Sequence, residues 1–456
     1  MKQGWQTKSL GEVCKIMNGG TPKTGVPDYW GGEHLWITPA EMGKRTSPYA
    51  DDTERKLTDA GLQNSSARML PPHSVILSSR APIGHLVINT KSMATNQGCK
   101  GLIPGSQLNE KFLYYYLSSI VDLLNSLGTG ATFKELSGGK LKEVTLPVPP
   151  LAEQQRIVGL LDEAFSVLAA AQAHAERNHR NARDLFESQL TESFAQVPSS
   201  TGAAEGRGSP SDLDHVFVSD VSADGAQEGV TRTGGREATS RHIPGPLSLA
   251  VGAPRTAAKD GWKWSSLSQL ARLESGHTPS RRIPGYWGGA VPWIGIQDAR
   301  ECHGRTIEVT AQCTNENGIA NSSARILPAG TVCLSRTASV GYVVVMGRPM
   351  ATSQDFVNWV CSPRLNPMFL KYLFLAEGRK GLLRYASGSV HQTIYFPEAK
   401  AFHVCHPIAE VQERLVEKLD ALSREVHRLE AIYREKSALL CALRNSLLRD
   451  AFNGKL

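Results

Sequence analysis

Tyr29-Trp30-Gly31-Gly32 returns 257 residues later as Tyr286-Trp287-Gly288-Gly289. The same offset carries Thr21-Pro22 onto Thr278-Pro279 and Trp36-Ile37 onto Trp293-Ile294. It also carries Asn64-Ser65-Ser66-Ala67-Arg68 onto Asn321-Ser322-Ser323-Ala324-Arg325. Past a one-residue slip the offset is 258, pairing Arg156-Ile157-Val158 with Arg414-Leu415-Val416 and Phe194 with Phe452. Two copies in register over about 190 residues each predict two similar domains in one polypeptide. A chain built this way can meet a ligand at two equivalent places, and duplex DNA is a common ligand that offers them.

Each copy divides into a globular part and a helical tail. Runs such as Ser74–Ser78 and Gly341–Val345 read as strands, with Gly, Pro and Asn marking turns around them. Asn109–Leu127 and Asn366–Tyr385 read as helices capped by their asparagines. In the tails, apolar residues recur at alternating steps of four and three. The first tail sets Leu161, Leu168, Asn178 and Leu185 on a seam with Ile157, Ala164, Ala171, Ala175 and Ala182. The second sets Leu419, Val426, Leu429, Lys436 and Leu443 on the equivalent seam. This is a coiled-coil pattern, and antiparallel pairing brings the polar interruptions Asn178 and Lys436 together. A seam of about 38 residues is ~57 Å long. The expected boundaries are 1–150, 151–196, 197–258, 259–407 and 408–456. The third segment, rich in Gly, Ser, Ala, Thr and Pro, reads as a flexible linker.

The net charge is +7, and its distribution is more telling than its size. Residues 1–150 carry an excess of +4 and residues 261–407 an excess of +7, while the tails and linker together are net negative. A polyanion is therefore expected on the globular parts. The eight cysteines are scattered singly, which points away from a disulfide framework and toward a reducing cytoplasm. Met1-Lys2-Gln3-Gly4-Trp5 lacks an apolar signal core, and no run of 18 apolar residues suggests a membrane partner.

Catalytic patterns fail a simple filter, because each is absent from the sister copy or explained by it. Asn366-Pro367-Met368-Phe369 looks like a methyltransferase loop, but Asn109-Glu110-Lys111-Phe112 opens the same helix in the other copy. Pro27-Asp28 with Glu54-Arg55-Lys56 fits a loose metal-nuclease pattern, which the second copy replaces with Pro284-Gly285 and Ala311-Gln312-Cys313. Cys302-His303 with Cys313, and His403-x-Cys405-His406, have no repeated ligand spacing. No phosphate loop or glycine-rich cofactor loop follows a strand. The expectation is no catalytic residue, cofactor or metal ligand in this chain.

Binding residues remain. Thr21 and Lys23, and Thr278, Arg281 and Arg282, lie on paired turns where phosphates are reachable. Lys134 and His391 lie on a second pair of loops, and Arg80 and Arg336 are further candidates for DNA contact. The copies diverge most at 38–58 against 295–315, where Lys44 and Arg45 face Gln297, Arg300 and Arg305. A common scaffold reading two different base sequences places its readers where the copies differ, and Arg, Lys and Gln are suitable base-edge donors.

The chain resembles the specificity subunits of type I restriction–modification enzymes over nearly its whole length. The carrying residues are the openings Trp5 to Leu10 and Trp262 to Leu267, the Gly-x-Thr-Pro turns, and Met93-Ala94-Thr95-Asn96-Gln97-Gly98. With them come Leu146-Pro147-Val148-Pro149-Pro150-Leu151-Ala152-Glu153-Gln154-Gln155-Arg156-Ile157-Val158 and its partner Pro407–Val416. The resemblance implies an α+β chain of two tandem mixed α/β target recognition domains. Each is followed by a long helix, and the helices pair as an antiparallel coiled coil. It further implies that each domain reads half of a bipartite target in double-stranded DNA. Two adenine-N6 methyltransferase subunits and two ATP-dependent restriction subunits would be partners, and S-adenosylmethionine, ATP and Mg²⁺ would act in those partners. The bacterial or archaeal cytoplasm is the implied setting. Two departures stand out: the long linker, and Gln354-Asp355-Phe356 in place of Gln97-Gly98-Cys99, where a turn relying on Gly98 is expected to differ. The residues leave two other readings open, a self-sufficient nuclease using Asp28, Glu54 and Lys56, and a duplicated scaffold for protein or glycan.

Overall fold

The computed structural model describes residues 4–80, 82–130, 134–195, 243, 247–254, 256–337, 339–388 and 391–456. The expected linker therefore lies mostly outside the described residues, as do parts of both paired loops (131–133 and 389–390). The chain forms two compact units, Met1–His179 with Ala431–Leu456, and Arg180–Glu430.

In the first unit a five-stranded sheet is ordered Cys14–Asn18, Cys99–Pro104, Val75–Ser79, Ile83–Asn89, Tyr49–Ala50. A three-stranded sheet is ordered Arg55–Leu57, Trp30–Ile37, Met93–Thr95. Val75, Leu77, Ile88 and Leu102 from the large sheet bury against Phe112, Leu113 and Leu117 of the helix Glu110–Ser119. The second unit repeats this plan with Ala271–Ser275, Phe356–Cys361, Val332–Ser335, Val343–Met346 and Thr306–Ile307 in the large sheet. Asn109 and Asn366 cap their helices as expected, each side chain accepting two backbone N–H groups. The predicted single helices are each broken. Ile120 separates Glu110–Ser119 from Val121–Leu127, and Gly378 at φ 62° kinks Pro367–Leu383.

One part of the expected linker is structured. Leu249–Val251 pairs antiparallel with Phe402–Val404, and Leu247, Leu249 and Val251 lie in the core of the second unit. The assignment of 197–258 to flexible chain is corrected there: burial of three aliphatic side chains and a sheet partner outweigh the Gly/Ser/Pro composition around them.

Two 44-residue helices, Leu151–Phe194 and Ala409–Phe452, follow the globular parts. Each unit contains a segment of both. In the first, Arg156 donates to the carbonyl of Leu456 at 2.8 Å, and the guanidinium of Arg444 lies 5.0 Å from the ring of Phe165. In the second, Arg183 pairs with Glu430, while Leu190 and Phe194 share a core with Val416 and Leu419. The segments run antiparallel in both units.

Leu161, Ala175, Ala182, Leu419 and Val426 are buried, and Leu168 and Leu429 are half-buried. Four seam residues are corrected: Asn178 and Lys436 are exposed, as are Leu185 (55%) and Leu443 (48%). A straight α-helix drifts by about 20° per heptad against a 3.5-residue repeat. The buried stripe accordingly passes from Ala182 to Phe186, Leu190 and Phe194, leaving Leu185 outside.

Two residues join each helix to its domain. The buried amide of Gln154 accepts from Asn109 N at 2.9 Å and donates to the carbonyls of Gln107 and Pro149. Gln412 repeats this with Asn366, Arg364 and Pro407. About two turns further along, Asp162 accepts from Tyr115 and Lys111, and Asp420 accepts from Tyr372.

Candidate nucleic-acid interface

The strand Trp30–Ile37 is bulged. Trp30 and His34 both face Leu57, so the three residues between them are looped out and Trp30 folds back toward Trp36. The turn needs Gly31 at φ 81°, and Gly288 at φ 80° does the same for Trp287 and Trp293. The two indoles of each pair meet edge to face, with centroids 5.0 Å and 5.2 Å apart. Both then donate to the Gly-x-Thr-Pro turn: Trp36 to the Gly20 carbonyl at 2.9 Å and Trp30 to that of Lys23 at 3.3 Å. Trp293 and Trp287 hold His277 and Ser280 in the same way.

This turn lies hard against the loop after Met93–Thr95. A Cβ on Gly19 would sit 1.9 Å from the Asn96 carbonyl, and one on Gly276 would sit 1.9 Å from that of Ser353. Only glycine fits. Thr21 accepts from the Asn96 amide at 3.0 Å, and Thr278 bonds to Gln354. Both predicted threonines therefore hold the turn in place. The expected difference at Gln354-Asp355 does not arise. Asp355 N donates to Ser353 Oγ at 3.2 Å where Gly98 N donates to Asn96 Oδ1 at 2.8 Å. The carbonyls of Gly98 and Asp355 both accept at 2.7 Å, from Ser79 N and Arg336 N. Gly98 is not at positive φ, so aspartate takes its place without strain.

Several predicted cations gather at this turn. Lys23, Arg281 and Arg282 are exposed on it. Arg80 lies beside Gly98 of the loop packed against the first turn, 3.9 Å from Glu135, and exposed Lys134 adjoins that glutamate in sequence. Arg336 donates to the Gln354 carbonyl at 3.2 Å, and burial lowers its pKa. His391 is exposed on the neighbouring loop, whose Thr393 bonds to Thr337 at 2.7 Å.

The divergent segments leave from the same place, since Ile37 and Ile294 accept from Asn96 N and Ser353 N. Their frames agree. Buried Glu41 and Asp298 accept from the equivalent amides of Glu54 and Ala311. Thr53 and Thr310 likewise accept from Trp36 N and Trp293 N. Their tips differ. Lys44 is exposed and 3.2 Å from Glu54, while Gln297 and Arg300 are exposed on the helix Ile296–Glu301. Arg45 has another job: it pairs with Glu41 at 2.8 Å and donates to the Asp52 carbonyl. Arg305 lies apart, lining a cleft beside Arg183, Phe186 and Val426.

Sequence reasoning missed Arg55. Directly across the sheet from Trp36, its guanidinium lies 3.5 Å from the Trp30 ring centroid. Its counterpart by offset is Gln312, so the repeat carried no signal for it.

The other chemical patterns are engaged in the fold. Glu54 faces Lys44, and Lys56 pairs with Asp52 at 3.0 Å. His303 Nδ1 accepts from Val343 N at 3.1 Å, and buried His406 bonds to Ser265 at 3.0 Å. Burial pushes the thiols of Cys14, Cys99 and Cys361 up to about 12.

Comparison with known proteins agrees with this architecture. The family model described as the type I restriction modification DNA specificity domain matches residues 2–173 and 259–435. The MjaIX specificity subunit of Methanocaldococcus jannaschii is 33% identical over 184 residues, 40% of this chain and 43% of that one. The EcoR124I/EcoR124II specificity subunit of Escherichia coli is 33% identical over 163 residues, 34% of this chain and 40% of that one. These alignments thus span about two-fifths of the relatives' lengths. A solved chain from a study of type I R-M complex assembly has a TM-score of 0.73 at 16% identity, covering 100% of this chain and 99% of its own. The HsdS subunit of Thermoanaerobacter tengcongensis has a TM-score of 0.54 at 17% identity, covering 100% and 98%. Matched twice, over most of its length, the chain belongs to the type I restriction modification DNA specificity domain family.

Proposed function

We propose that this chain is the non-catalytic DNA-reading subunit of a type I restriction–modification enzyme, each globular domain reading one half of a bipartite target. The observation that carries this reading is a frame built twice with different tips. Trp pairs, turns and carboxylate staples recur at equivalent positions, while the tips differ, Lys44 being exposed in one domain and Gln297 and Arg300 in the corresponding segment of the other. Phosphate contacts from Lys23, Lys134, Arg281, Arg282 and His391 supply affinity and its salt dependence. Base-edge contacts from the tips discriminate by about 1–3 kcal/mol per good bidentate pair. The antiparallel helix segments fix the spacer, and the domains direct adenine-N6 methylation and restriction by partner subunits in the cytoplasm. S-adenosylmethionine, ATP and Mg²⁺ act in those partners.

Two copies of the modification subunit fit a repeated feature. Each unit has a cleft where its domain meets the helices, about 470 Å³ in the first and 480 Å³ in the second. Their walls correspond: Tyr115, Phe165 and Leu168 in one, Tyr372, Ser423 and Val426 in the other. Two restriction subunits complete the proposed assembly. The test is long-read mapping of N6-methyladenine in the host genome with and without this gene. Loss of one bipartite methylated motif is the expected result, and an unchanged methylome counts against the proposal.

A further inference from the structure

Arg55 and Arg281 occupy non-equivalent chain positions yet deliver their guanidinium to the same aromatic pair. Arg55 Cζ lies 3.5 Å from the Trp30 centroid and 5.5 Å from that of Trp36. Arg281 Cζ lies 5.4 Å from both Trp287 and Trp293. By offset, Arg55 corresponds to Gln312 and Arg281 to Thr24. One arginine comes up from the strand opposite Trp36; the other comes down from the turn that the indoles hold. Both are exposed, and neither makes an ion pair among the described residues.

An exposed guanidinium without a carboxylate is usually mobile. Stacking on an indole holds its plane and leaves its N–H edge free. That edge matches a phosphate in bidentate fashion. The two domains differ most where base reading is proposed, but they agree on this cation. A group that keeps its place while its chain position changes belongs to the frame. A frame cation on a DNA reader meets what every sequence shares, the phosphodiester backbone.

Resting on the DNA-reading function proposed above, we propose that Arg55 and Arg281 are equivalent phosphate clamps, one per domain, each pre-positioned by its Trp pair. The test is transposition in the full-length chain. Arg55→Gln and Thr24→Arg/Arg55→Gln are compared with wild type on a mixed-sequence duplex between 50 and 200 mM salt, and Arg281→Thr and Arg281→Thr/Gln312→Arg are treated alike. Losing one phosphate contact lowers the salt slope by about 0.9, so the affinity deficit of each single variant grows about 3.5-fold from the higher to the lower salt. Each double variant restores slope and affinity. An unchanged slope in the single variants overturns the clamp. So does a double variant that recovers thermal stability but not slope, since the arginine then serves only the fold. Wild type that binds no duplex under these conditions overturns the DNA-reading function itself, a distinguishable result.

Discussion

The side-chain oxygen of Gln154 accepts the backbone N–H of Asn109 at 2.9 Å, tying the first residue before one helix to the first turn of another. Gln412 holds Asn366 at the same 2.9 Å. Each glutamine also donates to the proline-ended stretch before its own helix, at Pro149 and Pro407. One buried amide thus anchors the start of each long helix to its domain, with the aspartate further along as a second tie. Gln154→Leu should strand the Asn109 N–H and two carbonyls, at a cost of about 1–3 kcal/mol for each group left unsatisfied. Urea unfolding checks this; a loss below that of an average surface substitution contradicts it.

Lys44 and Arg45 are neighbours with opposite duties. Arg45 neutralises buried Glu41, whereas Lys44 and Glu54 are both mostly exposed. Arg45→Ala leaves a buried carboxylate unpaired and should destabilise the fold by about 3–5 kcal/mol. Lys44→Ala should cost about 0–1 kcal/mol and be felt in DNA discrimination instead. Melting temperature and binding to the mapped target, measured on both variants, separate the roles.

The drifted seam makes its own prediction. Leu161→Ala and Leu419→Ala, both at fully buried positions, should each cost about 2–5 kcal/mol. Leu185→Ala and Leu443→Ala, though spaced like core residues, should cost well under half of that. Equal losses at all four positions argue for a strict heptad seam.

Burial pushes the Glu377 carboxyl from 4.5 up to about 7, against the pull of Arg384 at 2.7 Å. Between those two values the native state binds more protons than the unfolded chain, so stability falls as pH rises through this window. The contribution is fully present below about 4.5 and gone above about 7. Glu377→Gln removes the titration. Wild type should therefore lose stability relative to the variant between pH 5 and pH 8, read from denaturant midpoints; a gain with rising pH contradicts the assignment.

Much of this was legible in sequence for one reason: the repeat preserves the residues that build the frame. Asn109 and Asn366, the Trp pairs and the paired turns all lie on the offset. The functions assigned to individual residues were less legible. Thr21 and Thr278 look like phosphate donors on turns, and the bonds from the Asn96 amide to Thr21 and between Thr278 and Gln354 give them a bracing role that the sequence did not show. Arg45 looks like a reader, and only the burial of Glu41 reveals its use. Arg55 was invisible because the arginine beside the Trp pair comes from a different chain position in each copy. Leu249–Val251 was hidden because its partner strand lies far along the chain, at Phe402–Val404, beyond the reach of local composition.

The central claim is that each domain reads one half of one target. Exchanging residues 1–150 for the corresponding domain of a family member with a different methylated motif, then mapping N6-methyladenine genome-wide, tests it most directly. One half of the motif should change to the donor's, with the other half and the spacer unaltered. A change in both halves, or in neither, contradicts it.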